Sequence, residues 1–186
     1  MARSPHAAPG KRPLPLGTVY RLLEPGPVVL LTTAHRGRLN VMTQSWHTMM
    51  EFEPPLVGCV ISNRNYSFGL INESRECVIN IPTVEIAKQV VGCGNCSGRR
   101  VDKFKKFDLT AADAAVVSAP LIDECYANLE CTIFDDELVE QYNFFVFQVV
   151  KAWIDAEKKD HRTLHHQGMG RFMVAGEGIS LPSRMK

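Results

Sequence analysis

Short polar side chains are concentrated between residues 40 and 67, where they lie at the ends of two apolar runs. The sequence of this stretch is NVMTQSWHTMMEFEPPLVGCVISNRNYS. Hydroxyl and amide groups of this kind offer stiff hydrogen-bond donors and acceptors to a bound ligand. The stretch therefore supplies the first candidate binding residues: Asn40, Thr43, Ser45, Ser62, Asn63, Arg64 and Ser67.

Two cationic residues are candidates for holding a phosphate group. Arg64 follows a buried apolar run, and its planar guanidinium can contact two phosphate oxygens, with each charge-assisted hydrogen bond contributing about 1.5–3 kcal/mol. Lys103 lies among other cations, at positions 99, 100, 105 and 106. The alternative for both residues is a solvated surface charge. The sequence leaves open which of the two is the main phosphate ligand.

Cys93 and Cys96 form a CxxC pair, a spacing found in zinc sites and in redox-active dithiols. A structural zinc site needs two more ligands, and only His165 and His166 qualify because there is no second CxxC. A thioredoxin-type dithiol needs a helix N-terminus after the pair, whereas here glycines surround it. A Cys/His metal-binding module is therefore a remote alternative, and the role of the two thiols stays open.

Other catalytic patterns are missing from the sequence. There is no Gly-x-Ser-x-Gly elbow, and His161, His165 and His166 cluster without an identifiable nucleophile. The glycine string at residues 168–173 has Met173 where a dinucleotide-binding fold needs its third glycine. We therefore predict no catalytic side chain and no metal ligand, and a dinucleotide-binding fold is disfavoured.

Composition limits the class of protein. The chain has 186 residues, of which 45% are hydrophobic and 22% charged, as expected for one globular domain. Its net charge of +1 gives no reason to expect nucleic acid or an anionic membrane as a partner. No apolar run approaches the roughly 20 residues of a membrane-spanning helix, and no signal-peptide core is present, so we expect a cytoplasmic protein. Prolines at 5, 9, 13 and 15 predict that residues 1–18 form an extended arm before a single domain at 19–186.

The elements that must position these residues are mostly strands. The pattern predicts a hairpin turning at His35–Arg38, with Gly37 at a positive φ, and a strand from Asn40 that Pro54 and Pro55 end. In chain order, we then predict a buried strand at Leu56–Ile61, a helix at Phe68–Arg75 with Ser67 as N-cap, a strand at Val78–Ile81, a helix from Pro82 to Val90 or Val91, a loop at Gly92–Gly98, helical turns at Val101–Phe107 and a second hairpin formed by Ala127–Phe134 and Asn143–Ile154. Together they predict one antiparallel barrel with helical inserts.

The order of several motifs also resembles a known family. These motifs are Asn40-Val-Met-Thr-Gln-Ser-Trp46, Pro54-Pro55, Ser62-Asn-Arg-Asn-Tyr-Ser67, Cys77-Val-Ile-Asn-Ile-Pro-Thr83, Gly92-Cys-Gly-Asn-Cys-Ser-Gly-Arg99, Asp102-Lys-Phe104 and Gly168-Met-Gly-Arg-Phe172. Their arrangement resembles the flavin reductase-like FMN-binding proteins, which include flavoredoxin. The resemblance implies a mainly β, Greek-key split barrel that forms a homodimer with FMN at the subunit interface.

The resemblance also implies which residues contact the flavin. These are Asn40, Met42, Thr43, Ser45, Trp46, Ser62, Asn63, Arg64, Ser67, Lys103 and Phe172. Lys103 is preferred over the neighbouring cations because it lies in the Asp-Lys-Phe motif. Trp46 and Phe172 are candidates to contact the isoalloxazine ring, but a place in the core or in a dimer interface suits a large aromatic side chain equally well.

Three functions follow as hypotheses. The first is an oxidoreductase in which NAD(P)H reduces FMN and the electrons pass to a small-molecule or protein acceptor. This chemistry needs no acid–base residue, which agrees with the missing catalytic constellation. The second is a flavoredoxin-type electron carrier without its own nicotinamide site, and the third is the metal-binding module. The sequence leaves open the electron donor, the acceptor and the choice between NADH and NADPH.

Overall fold

A large antiparallel sheet forms the centre of the protein, and the computed structural model describes residues 26–155 and 157–182. In chain order the strands are β1 (Val29–His35), β2 (Arg38–Gln44), β3 (His47–Phe52), β4 (Pro55–Val60), β5 (Glu76–Ile81), β6 (Ala111–Ala112), β7 (Leu121–Ile122), β8 (Ala127–Asp135), β9 (Phe144–Ile154), β10 (Leu164–His166) and β11 (Phe172–Val174). The α-helices are α1 (Tyr66–Ser74), α2 (Ala87–Gly94), α3 (Lys103–Phe107) and α4 (Val139–Tyr142).

The sheet curves into an open barrel. Its seven strands lie in the order β2-β1-β5-β8-β9-β4-β3, so that β2 and β3 occupy opposite edges. Only Ser45 and Trp46 separate these two strands in the chain, so the edges must meet at this corner. The Gln44 side-chain amide holds the corner by donating to the carbonyls of Trp46 (2.8 Å) and Val60 (3.0 Å). The mainly β, single-domain split barrel predicted from the sequence is confirmed.

Strand β1 is buried on both faces because it separates two apolar clusters. Val29 and Leu31 face the barrel interior, where they lie in one cluster with Phe145 and Phe147. Leu30, on the opposite face of the strand, belongs to a second cluster that includes Val28, Val41 and side chains of α2 and α3. This period-two division is what places two helices against the outer face of β1 and β2.

The interior also contains a carboxylate that is fully hydrogen-bonded. Glu130 of β8 is completely buried, and its oxygens accept the backbone N–H groups of Ala115, Val116 and Val117 and the indole N–H of Trp153. Burial alone raises the pKa of a carboxyl, but these four donors outweigh it and hold the Glu130 pKa below its ordinary value. The residue therefore ties the segment before β7 to the sheet.

Several local predictions are confirmed. The chain turns between β1 and β2 with Gly37 at a φ of 75°, and β8 pairs with β9 as a hairpin. Helix α3 provides the predicted helical turns, and Asp102 caps it by accepting the backbone N–H of Lys105 at 3.3 Å. The β4 strand begins at Pro55, and its central residues are buried as expected.

Four local predictions are wrong. The stretch from Asn40 contains three strands, because the chain turns at Ser45 and begins β3 at His47. Ser67 is not an N-cap, since it lies inside α1 and its hydroxyl accepts a hydrogen bond from Asn40. The helix expected from Pro82 starts as a 3₁₀ turn at Val84–Ile86. Residues 92–94, expected in a loop, form the last turn of α2.

The predicted extended arm, residues 1–18, lies outside the described residues. Within the described ranges, none of the helices is long and apolar enough to cross a membrane.

Candidate functional site

Two adjoining cavities lie beside β2. One, called here the polar cavity, has a volume of about 280 Å³, and the other, the apolar cavity, has about 250 Å³. Gly94 and Asn95, at the end of α2, line both of them. The two cavities therefore adjoin, and together they offer a charged end and a largely uncharged end.

Most of the predicted site residues meet here. Asn40, Met42, Arg64, Ser67 and Lys103 line the polar cavity. Thr43, Ser45 and Phe172 line the apolar cavity. Strand β2 links the two groups, because it supplies residues to both cavities.

Trp46, Ser62 and Asn63 lie outside both cavities. Trp46 is 55% exposed at the corner between β2 and β3. The Ser62 hydroxyl accepts the backbone N–H of Arg64 at 3.3 Å, and the Asn63 N–H donates to Asn143 Oδ1 at 3.2 Å. Ser62 and Asn63 thus shape the loop that leads into α1, and direct contact of all three residues with a ligand stays a prediction.

Lys103 is a buried cation without a carboxylate partner in the described part of the chain. It is 5% exposed, and its Nζ donates to the carbonyls of Val41 and Cys93, each at 2.7 Å. Burial lowers the pKa of the ammonium, whereas the nearby thiols of Cys93 and Cys96 act in the opposite direction. An unpaired buried charge is costly, so an anion in the polar cavity would stabilise this arrangement.

The start of α1 adds further groups suited to an anion. Residues 64–67 line the polar cavity, and the first turn of a helix has backbone N–H groups without intrahelical acceptors. Arg64 immediately precedes this turn, and its exposed guanidinium forms no ion pair with any described residue. Lys103 of α3 and the segment formed by Arg64 and the start of α1 thus converge on one space.

Asn40 carries an unsatisfied buried acceptor at the same place. Its Nδ2 donates to Ser67 Oγ at 2.8 Å, whereas its Oδ1 is buried without a hydrogen-bond partner among the described residues. Gly98 lies against this side chain, and a Cβ added there would overlap Oδ1 and approach Asn40 Cγ to 2.7 Å. A ligand hydroxyl in the polar cavity would satisfy this acceptor.

The apolar cavity is closed on one side by the β10–β11 hairpin. Val28 donates its N–H to the Leu164 carbonyl at 2.6 Å, which attaches the hairpin beside β1. The hairpin supplies His166 and Phe172, whose ring centroids lie 5.3 Å apart. On the other side, Thr43 Oγ1 donates to the Val90 carbonyl of α2 at 2.5 Å. The cavity thus combines flat side chains with hydroxyl groups, and it is lined by no described lysine, arginine, aspartate or glutamate.

The CxxC pair lies next to the polar cavity. Cys93 is buried, which raises the pKa of its thiol to about 11, and Lys103 acts against this shift. Cys96 is half-buried and lines the cavity. Within residues 26–155 and 157–182, no three His, Cys, Asp or Glu side chains lie close enough together to hold a metal ion.

Sequence reasoning missed several lining residues. Tyr66, Asn95, Ser97 and Gly98 line the polar cavity, and His166 and Gly170 line the apolar one. The motif at residues 92–99 contains three of them, but its residues are not among those that the sequence predicts to contact the ligand. The His and Gly residues of the tail gave a weaker signal, because their spacing alone does not show that they form a hairpin over β1.

Comparison with known proteins shows which family the chain belongs to. A family model of the flavin reductase like domain matches residues 21–173. The chain belongs to this family.

Relatives by sequence include proteins of unassigned function. YddH of Escherichia coli K12 is 31% identical over 182 residues, covering 90% of this chain and 96% of that protein. A protein of Archaeoglobus fulgidus is 36% identical over 111 residues, covering 60% of this chain and 63% of its own length.

Solved structures show the same architecture. An FMN-binding domain of a flavin reductase-like enzyme from Shewanella baltica OS155 superposes with a TM-score of 0.80 at 27% identity, covering 91% of this chain and 96% of that chain. Flavoredoxin of Desulfovibrio vulgaris (Miyazaki F) superposes with a TM-score of 0.77 at 21% identity, covering 94% and 96%. The protein therefore has the flavin reductase-like, FMN-binding split-barrel fold.

Proposed function

We propose that this protein is an FMN-dependent oxidoreductase of the flavin reductase type, which takes electrons from NAD(P)H and passes them to an acceptor. The observation that carries the proposal is the buried Lys103 cation, which lacks a carboxylate partner among the described residues and lines the polar cavity beside the apolar one. FMN has matching parts, because it joins a phosphate to a flat ring through a chain of hydroxyl groups.

The residues present fit each part of FMN. Lys103, Arg64 and the first turn of α1 would hold the phosphate. The unsatisfied Asn40 Oδ1 would accept a ribityl hydroxyl. Thr43, Ser45 and Phe172 would orient the ring. When bound, FMN supplies the hydride-accepting and electron-transferring chemistry, and the side chains position it and exclude water.

We propose further that the protein acts as a homodimer. β3 is an edge strand, and it exposes Met49 (57%), Met50 (48%) and Phe52 (85%). An exposed apolar edge strand favours association with a second copy of the chain, because its backbone groups and apolar side chains are available for pairing. Since β3 follows directly after Ser45 and Trp46, a partner on this edge would lie close to the ring end of the site. Trp46 is then an interface residue beside the flavin.

One observation favours a second candidate, an electron carrier that receives its electrons from another protein. The apolar cavity has no described lysine or arginine that would hold the phosphates of a nicotinamide dinucleotide. A carrier needs no such groups, because only the edge of the flavin must be reachable.

Anaerobic mixing of the FMN-loaded protein with NADH or NADPH distinguishes the two candidates. A reductase brings the nicotinamide against the flavin at about 3–3.5 Å. We therefore expect bleaching of the flavin absorbance within seconds with at least one of the two. If neither nucleotide bleaches the flavin over many minutes while dithionite does, the reductase proposal fails and the result favours the carrier.

A further inference from the structure

A basic cleft lies outside the polar cavity and shares a wall with it. The cleft consists of two adjoining spaces of about 630 and 710 Å³, both lined by Arg38, Tyr66 and Arg99. Tyr66 and Gly98 line the larger space and the polar cavity alike. The cleft therefore begins where the phosphate end of the proposed flavin site ends.

The cleft has an excess of positive charge. Arg36, Arg38, Arg99 and Arg100 line it, and none of them forms an ion pair with a described residue. Its two acidic residues, Glu73 and Asp102, offset only part of this charge. Glu73 lies 3.2 Å from His35 Nε2, and Asp102 caps α3 and lies 3.3 Å from Lys105 Nζ. Four unpaired guanidinium groups in one concave surface favour a ligand with phosphate groups.

The cleft also offers a flat aromatic surface. The half-buried Tyr66 ring forms part of the wall, and the Arg99 guanidinium carbon lies 5.6 Å from its centroid. Aromatic rings and guanidinium planes are the groups on which nucleobases stack. Arg36 and Arg38 approach from the β1–β2 turn, where Arg36 and Gly37 have φ angles of 48° and 75°. Phosphate-binding and base-stacking groups are therefore brought together from three separate segments.

We propose that this basic cleft binds the adenosine phosphate half of a dinucleotide. The inference rests on the proposed function, because the cleft adjoins the site assigned there to FMN phosphate. Two ligands carry this chemistry. In FAD, the adenylate extends directly from the flavin phosphate into the cleft. In NADPH, the phosphorylated adenosine occupies the cleft while the nicotinamide reaches the ring.

Fluorescence titration of the apoprotein with FMN and with FAD tests whether the adenylate of FAD occupies the cleft. The variants are R38A, R99A and the double variant. Both arginine side chains are exposed, so their removal leaves the core intact. We expect each single variant to raise the Kd for FAD about tenfold and to leave the Kd for FMN within about twofold. R162A is the matched control, since Arg162 pairs with Asp160 outside the cleft, and it should change neither Kd.

Steady-state reduction of the FMN-loaded variants by NADPH tests whether the adenosine phosphate of NADPH occupies the cleft. If R38A and R99A raise the KM for NADPH about tenfold and leave FAD binding unchanged, the cleft serves the nicotinamide donor. Unchanged FAD binding together with unchanged NADPH kinetics overturns the inference, while FMN binding still supports the proposed function. Failure of the wild-type apoprotein to bind FMN at all counts against the proposed function instead.

Discussion

Replacing Lys103 by Met removes the buried cation at nearly constant volume, and it should separate phosphate binding from ring binding. A phosphate about 5 Å from the ammonium gains about 3 kcal/mol at an effective dielectric constant of about 20. One charge-assisted hydrogen bond contributes about 1.5–3 kcal/mol, which agrees with this value. We therefore expect K103M to weaken FMN binding about 10- to 150-fold.

Riboflavin lacks the phosphate and provides the comparison ligand. Isothermal titration should show that K103M changes riboflavin affinity less than about threefold. K106M is the matched control, because Lys106 lies on the same helix but outside the polar cavity. K103M also leaves the carbonyls of Val41 and Cys93 without a donor, so thermal unfolding must confirm that it folds. Should it unfold, K103Q retains an amide donor and removes the same charge.

Two results would refute this reasoning. Equal losses of FMN and riboflavin affinity in K103M mean that Lys103 acts on the ring or on the fold. An equal loss of FMN affinity in K106M means that the effect depends on net charge alone, and not on the buried position of Lys103.

The remaining predictions concern the same site and the fold around it. Burial lowers the pKa of Lys103 in the free protein, and a bound phosphate would raise it again. The affinity for FMN, measured relative to that for riboflavin, should therefore fall as the pH rises toward 10.5. K103M should not show this fall. G98A should weaken FMN binding about tenfold or more because the added Cβ displaces a buried side chain, whereas G176A, whose Cβ meets no atom within 4 Å, should not. E130Q should lower the unfolding free energy, measured in urea at neutral pH, by about 2–4 kcal/mol, because the amide NH₂ of Gln would face backbone N–H donors. The folded-state pKa of Glu130 is lowered, so the stability difference between wild type and E130Q should shrink as the pH falls below 4.5. Light scattering should give twice the 20.8 kDa chain mass for the wild type, and F52E should reduce it toward the monomer; a monomeric wild type contradicts the proposed dimer.

The sequence predicted those features that depend on neighbouring residues. Gly37 marked the β1–β2 turn because a positive φ suits glycine, and the apolar run at Leu56–Ile61 marked a buried strand. The order of the family motifs also predicted that Asn40, Arg64 and Lys103 contact one ligand. Local composition was sufficient for the turn and the strand because their causes lie within a few residues of each other, whereas the grouping of Asn40, Arg64 and Lys103 depended on the family resemblance.

The features that were missed depend on distant parts of the chain. Ser67 has the composition of an N-cap, but its partner Asn40 lies 27 residues away on β2. Lys103 has the surroundings of a surface lysine, and its burial follows from two carbonyls that lie 62 and 10 residues away. Glu130 is buried because donors from a separate segment and from β9 surround it. Such contacts appear only after the sheet and its helices are assembled.

A crystal structure of the FMN complex tests the central claim most directly. We predict that the phosphate lies within hydrogen-bond distance of Lys103 or Arg64 at the start of α1, and that the ring lies against Thr43, Ser45 and Phe172. A complex with the phosphate outside the polar cavity, or with the ring away from the apolar cavity, would contradict the account.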